Sequence, residues 1–340
     1  TYLKNNLNII KIDGQLHIYS EGVYKDGLQA IESEMIKIIP TLTARNRSEV
    51  IKYLYLIAPD IKEQSGANYI AFNNGIYNLN TGILEPFTPA VIVKNKIPFN
   101  YNYDAYNETL DSMLDRISCN DDSIRDLLEE MAGYCMYRRN ELRKAFILIG
   151  DKANGKSTYL DCITYMVGER NTSALDLKEL GDRFRTAELF GKLINAGDDI
   201  GDEFIANPAV FKKLVSGDRV TVERKGQDPF DFCNYSKFIF SANNIPRIKD
   251  KTGAVLDRLV IVPFNATFSK SDEDYDPYIK DKLKSPEAME YLIQLALDCL
   301  KRVLQFTASS GHHSVFEQPL SEYNSRPQIL FHDTLDMSLY

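Results

Sequence analysis

The spacing of apolar positions changes several times along the chain, and each change marks a new kind of segment. Residues 7–12 and 15–19 are apolar-rich runs on either side of Asp13-Gly14, a two-residue turn of the type hairpins favour. Residues 29–39 and 48–58 carry apolar positions at helical spacing, and each stretch is closed by a proline, Pro40 and Pro59. Residues 76–79 and 83–84 flank Asn80-Thr81-Gly82 and predict a second hairpin. Over 107–139 the period is helical. Leu110, Met113, Leu114 and Ile117 make one apolar face, and Ile124, Leu127, Leu128, Met131 and Cys135 make another. Asp121-Asp122-Ser123 stands where the second of these helices needs a cap.

From residue 145 short apolar runs alternate with helical patterns. Residues 145–149 have strand length and are wholly apolar; Leu160, Ile163, Met166 and Val167 then repeat at helical spacing until Gly168. A less pure apolar run over 192–199 ends in Asp198-Asp199. Asn207-Pro208 opens a helix whose core face is Val210, Phe211, Leu214 and Val215, and Ser216-Gly217 ends it. Val220 and Val222, then Phe230 and Phe232, alternate with polar residues around a turn at 224–228, which predicts a hairpin. Residues 237–242 and 259–264 are two further core strands. Residues 276–306 predict one helix with Tyr291, Leu292, Leu295, Leu300 and Val303 on its apolar face, and 307–340 show no periodicity. The resulting expectation is an α/β core over 145–270. It is preceded by a small α+β domain over 1–105 and a helical segment over 106–144, and followed by a helical segment and tail over 271–340.

Composition narrows the class. The length of 340 residues fits two or three domains, and 44% hydrophobic with 26% charged residues is ordinary for a soluble globular chain. A formal net charge of −8 excludes a surface coated all over by nucleic acid, though not a local basic lining. Five cysteines without a C-x-x-C pair read as buried thiols of an intracellular, cytoplasmic protein, not as a disulfide frame or zinc site. The sequence offers no apolar run of 18 residues, hence no expected membrane partner, and no signal peptide. It begins at Thr1 and not at Met, which points to a piece of a longer chain.

The chemistry centres on Gly150-Asp151-Lys152-Ala153-Asn154-Gly155-Lys156-Ser157-Thr158, which fits G-x-x-x-x-G-K-[ST] between a strand and a helix. Backbone N–H groups of such a loop converge on phosphate oxygens, and the helix N-terminus adds positive potential. Lys156 supplies a point charge to the β/γ-phosphates of a nucleotide such as ATP, and Ser157 a hydroxyl to Mg²⁺. Asp198 and Asp199 follow some 40 residues later at a strand end, where one acid holds the metal and the next polarises a water. Asn243 ends the next core strand, placed to orient the lytic water or sense the γ-phosphate, although an asparagine there also suits a turn. Arg224 and Lys225 lie near a hairpin tip, and Arg258 begins the last core strand. The basic Arg138, Arg139, Arg143 and Lys144 read as a solvated charge run, and His312-His313 as part of a solvated loop.

Four motifs therefore stand in fixed order: the glycine loop, the Asp198-Asp199 strand, Lys213-Leu-Val-Ser-Gly-Asp218 with its hairpin, and Phe238-Ile-Phe-Ser-Ala-Asn243-Asn-Ile-Pro246. This order resembles the superfamily 3 helicases. It looks nearest to the phage and plasmid primase-helicases related to the poxvirus primase-helicase, and to replication initiators of mobile elements. Residues 72–82 are similar to the domain that precedes the helicase in that group, so the likeness covers roughly 65–300. The resemblance implies an AAA+ P-loop ATPase core that assembles as a homohexamer and translocates on single-stranded or forked DNA, alongside replication proteins of a host. It implies that Lys156 and Ser157 bind ATP and Mg²⁺, that Asp198 is the metal acid and Asp199 the catalytic acid, and that Asn243 is the sensor. It further implies that Arg258 is the arginine finger serving a neighbouring subunit, and that Arg224 and Lys225 grip DNA phosphates. Many AAA+ proteins have Glu where Asp199 stands; the shorter side chain acts through a repositioned water, or the assignment slips by one residue. Two other classes compete: a small-molecule kinase using the same loop, and an origin-binding scaffold with a relic nucleotide site. The ordered Asp198-Asp199, Asn243 and Arg258 disfavour the kinase, and intact Lys156, Ser157 and Asp198 disfavour the scaffold.

Overall fold

A computed structural model of the chain describes residues 2–61, 66–200, 207–226, 228–243, 253–273 and 275–308, with 198–200 and 305–308 described by backbone alone. The chain divides into two compact units between Asn100 and Tyr101.

The first unit contains α1 (Tyr2–Asn6), β1 (Ile10–Ile12), β2 (Gln15–Ser20), β3 (Val23–Asp26), α2 (Leu28–Ile38), α3 (Ala44–Ile57) and β4 (Asp60–Ile61). They are followed by β5 (Tyr69–Phe72), β6 (Gly75–Asn78) and β7 (Ile83–Glu85). Asp13 and Gly14 take φ 49° and 75° at the first hairpin turn, as that dipeptide favours. One sheet has the order β3-β2-β1-β4 and the other β5-β6-β7. Both predicted hairpins are present, and each gains a strand the periodicity did not announce. β3 follows a Glu21-Gly22 turn and β5 precedes an Asn73-Asn74 turn, and β3 is only four residues long. α3 starts four residues before the predicted helix because the Thr43 hydroxyl caps it, accepting from the Asn46 N–H at 3.3 Å.

The second unit opens with α4 (Glu108–Ile117) and α5 (Asp122–Met136), whose predicted apolar faces are buried. Asp121 caps α5 by accepting from the Ser123 and Ile124 N–H groups. Then come β8 (Ala145–Ile149), α6 (Lys156–Val167), β9 (Thr172–Ser173), β10 (Ile194–Ile200), α7 (Pro208–Ser216), β11 (Arg219–Val222) and β12 (Phe230–Cys233). β13 (Lys237–Ala242), β14 (Leu259–Pro263), α8 (Ile279–Leu283) and α9 (Pro286–Ala308) complete it. A five-stranded sheet, order β14-β8-β13-β10-β9, is parallel throughout. Ile149 is level with both Ala242 and Pro263, and Ala242 with Ile200, so four strands end at one edge. α9 packs on α5 so closely that a Cβ on Gly133 would collide with the Ala296 carbonyl oxygen.

Three expectations are corrected here. The helix predicted over 276–306 is two, because Pro286 lacks the N–H to continue α8 and instead starts α9, with Ser285 Oγ accepting from the Ala288 N–H. Arg138 is buried, not solvated, so the basic run before β8 is part core. Cys119 and Cys233 are exposed, whereas Cys135, Cys162 and Cys299 are buried. The His312-His313 stretch and residues 244–246 of the Asn243 motif lie outside the described residues.

Lys237, the first residue of β13, is only 1% exposed. Its ammonium donates to the carbonyls of Tyr137 and Tyr235 and lies 4.5 Å from the Tyr134 ring centre. Burial drives its pKa from 10.5 to about 7, against the pull of Cys135 and Glu141 and with a small push from Arg138. Between those two values the unfolded chain carries a proton that the folded chain has shed. The contribution of Lys237 to stability should therefore rise with pH from about 7 to 10, by a few kcal/mol in all. Lys237→Met should flatten that rise, read as the difference between the denaturation midpoints of wild type and variant at each pH. An equal rise in both proteins would show that Lys237 is not its source.

Candidate active site

β8 delivers Gly150 to the aligned sheet edge, and the chain then curls through Ala153 (φ 56°) and Gly155 (φ 93°) into α6. Left-handed residues alternating with right-handed ones fold backbone amides into an anion-binding concavity. Glycine is demanded at Gly150 by its neighbours and favoured at Gly155 by its left-handed backbone. A Cβ on Gly150 would run into the Asn154 side chain and the Phe264 carbonyl oxygen. One on Gly155 would stand 3.0 Å from Ile117 and 3.2 Å from Phe268. Asp151, Lys152, Ala153 and Ser157 are exposed, Thr158 is half-buried, and Lys156 is buried with its ammonium donating to the Gly150 and Asp151 carbonyls. The loop is bracketed from outside. Asn154 Nδ2 donates to Phe264 O at 3.1 Å, and Ala153 O accepts from the Phe268 N–H at 2.8 Å. The Arg116 guanidinium lies 4.5 Å from the Phe268 ring centre and pairs with Asp272. Asn154, predicted only as part of the nucleotide loop, thus uses its side chain to tie that loop to the end of β14.

β13 lies between β8 and β10, so Asn243, exposed just past the end of β13, stands between the glycine loop and the acid strand. Two strand spacings set β10 about 10 Å from β8. That gap suits a phosphate and a hydrated cation. The β10–β13 register slips here: Gly197 faces Phe240 while Ile200 faces Ala242, so Asp198 and Asp199 share one partner position, Ser241. Such a bulge re-aims the side chains it carries. The two acids lie within β10 and not after it, and their backbone alone is described.

The sheet does not bring every predicted residue together. Arg258 ends a 3₁₀ turn, Leu256–Arg258, at the start of β14, which is the opposite edge of the sheet. Five residues of strand put it about 16 Å from its own glycine loop. Its Nε donates to Ser216 Oγ at 3.1 Å and its Nη1 to Ala254 O at 2.7 Å. Arg224 and Lys225 are exposed in the turn between β11 and β12. Arg224 is not a bare cation, since its guanidinium lies 5.1 Å from the Phe230 ring centre and 5.7 Å from that of Phe190.

Two family models match this chain. The first, described as D5 N terminal like, covers residues 8–119, and the second, a family of unknown function (DUF5906), covers 148–258. The second match begins within β8 and ends on Arg258. The chain is 26% identical over 264 residues to "Putative helicase L207/L206" of Acanthamoeba polyphaga mimivirus, covering 71% of this chain and 26% of that protein. It is 25% identical to "Putative helicase 184R" of Invertebrate iridescent virus 6, over 63% of this chain and 24% of that protein. It is also 25% identical to "Putative helicase V13" of Sputnik virophage, over 72% of this chain and 34% of that protein. The chain thus spans about a quarter to a third of the curated relatives it matches. Among solved structures, an apo form of the NrS-1 C-terminal region has a TM-score of 0.59 at 15% identity, over 88% of this chain and 71% of that one. That likeness is one of fold.

Sequence reasoning missed the residues that tie α7 to the hairpin. Asn140, buried between α5 and β8, donates to the carbonyls of Leu214 (3.3 Å) and Asn234 (3.1 Å), and Asn234 donates to Leu214 O at 2.9 Å. These bonds join the end of α7 to the foot of the β11–β12 hairpin. An isolated asparagine in a loop carries no signal in the sequence; only folding reveals its partners.

Proposed function

We propose that this chain is the motor portion of an ATP-dependent DNA helicase that serves the replication of a virus, plasmid or other mobile element. It acts as a homohexamer on single-stranded or forked DNA, beside replication proteins of its host. The observation that carries this reading is the alignment at one sheet edge of the Gly150–Ser157 loop, the bulged Asp198-Asp199 strand and Asn243. The D5-like match and the helicase names of the viral relatives support the same reading. The glycine loop suits a nucleotide, because its left-handed Ala153 and Gly155 and the N-terminus of α6 turn backbone N–H groups toward an anion. ATP is the substrate; Ser157 and Asp198 would hold Mg²⁺, which neutralises charge on the phosphates. Lys156 draws charge from the β/γ-phosphates, Asp199 orients and deprotonates the attacking water, and Asn243 positions that water from the middle strand. ATP turnover by the full chain, measured with and without single-stranded DNA, tests the reading. Stimulation by DNA supports it, whereas turnover that needs a small acceptor molecule and ignores DNA would transfer the loop to a kinase.

In this reading Arg224 and Lys225 grip phosphates, and the rings of Phe190 and Phe230 hold Arg224 in place to do so. Phosphate contacts position without reading sequence. Changing both to alanine should cut unwinding severely and spare basal ATP turnover. It should also shallow the slope of log affinity against log salt by about 1.4, two phosphates at roughly 0.7 each on single strands. An unaltered salt slope with intact unwinding places the grip elsewhere.

A further inference from the structure

We propose that Ser216 is a positioning residue for Arg258, and that their contact couples the arginine's reach toward a neighbouring subunit to the hairpin of its own subunit. This inference rests on the proposed function and names a link within it. Ser216 is the last residue of α7, and its Oγ accepts from Arg258 Nε at 3.1 Å. The hairpin strand β11 begins three residues later, at Arg219. The turn between them is closed by hydrogen bonds. Gly217 takes φ 72° and donates to Leu214 O, while the Asp218 N–H donates to Lys213 O at 3.0 Å, closing the helix in a Schellman turn. A Cβ on Gly217 would stand 3.1 Å from both Asn140 Cβ and Asn234 O, so the turn packs against the foot of the hairpin. The far strand is tied to the same place, because Asn234, one residue past β12, donates to Leu214 O at 2.9 Å. Movement at the end of α7 is therefore carried to both strands of the hairpin.

Arg258 is held at this point by two bonds of different kinds. The carbonyl of Ala254 belongs to its own turn, four residues back, and moves with it. The Ser216 hydroxyl belongs to the hairpin side, 42 residues away in sequence. An arginine that swings out to a nucleotide on another subunit gives up Ser216, and it regains that bond when the phosphate leaves. The end of α7 is thereby bound to Arg258 in one state and released in the other. That differential contact is what a coupling between two sites requires.

The test compares wild type, Ser216→Ala and Ser216→Thr as full chains, measuring ATP turnover with and without single-stranded DNA, single-strand affinity and thermal midpoint. Ser216→Ala should lower the stimulation ratio by about fivefold or more, the usual floor for coupling between sites, with single-strand affinity retained. Ser216→Thr keeps the hydroxyl and should restore the ratio. A merely structural role would lower the thermal midpoint and both turnover rates together and leave their ratio unchanged, which overturns the proposal. So does a ratio equally lost in Ser216→Thr. A wild type that DNA does not stimulate overturns the helicase reading itself, whereas a stimulated wild type with an equally stimulated Ser216→Ala removes only the coupling.

Discussion

Lys156→Ala is expected to abolish ATP turnover while the protein stays folded. The side chain is buried, and its ammonium donates to the backbone carbonyls of Gly150 and Asp151. Losing those two bonds costs the fold roughly 1–3 kcal/mol, because the loop carbonyls can turn to water. The effect on chemistry is far larger, since the ammonium is the one loop cation aimed back into the cradle. Removing a single preorganised donor to developing charge slows turnover by about 10²–10³ or more. Phosphate release and thermal midpoint, measured side by side, decide the matter. Turnover within a few-fold of wild type would take this loop out of the active site.

Arg258→Ala should keep nucleotide binding and lose hydrolysis, and the loss should be repairable by another subunit. The guanidinium sits at the edge of the sheet away from its own glycine loop, which leaves a neighbour's site as the one it would serve. An arginine that stabilises charge on the transferring phosphoryl group is worth about 10³–10⁵ in rate in other phosphate-loop enzymes. A Lys156→Ala subunit cannot fire its own site but still presents Arg258. Mixed with Arg258→Ala subunits it should complete some of their sites and restore part of the activity, and this gain should fade on dilution. No recovery at any ratio of freely exchanging subunits, with nucleotide affinity intact in both, would argue that Arg258 does not act in trans.

Much of the second unit was legible from residue order because its signals are local. β8, the cap and Pro208 start of α7, and the β11–β12 hairpin all lie where alternation, proline and glycine put them. The glycine loop was legible for the same reason, since its shape depends on contiguous residues. Three kinds of feature were not. β9 is two residues long, too short to show a period, and it exists only because β10 offers it an edge. The bulge at Asp198-Asp199 depends on pairing with β13, so a strand read alone gives no hint that two acids share one position. The resemblance supplied roles for Asn243 and Arg258, but only sheet order sets one between loop and acids and the other at the far edge. Arg138 shows the same limit in reverse: it reads as part of a solvated charge run, yet it is buried.

The two outer strands of the parallel sheet restrict how copies of this unit can meet. β14 borders the sheet, yet all five of its residues are buried, and β9 at the other border spans two residues. Neither offers a length of bare backbone on which a second chain could lay a strand, so edge-to-edge β-augmentation is closed to this sheet. Copies that meet at this sheet do so without extending its hydrogen-bond ladder. Contacts of that kind can be made and broken during a working cycle without unzipping a hydrogen-bond ladder, and they leave the sheet no template for runaway fibre growth.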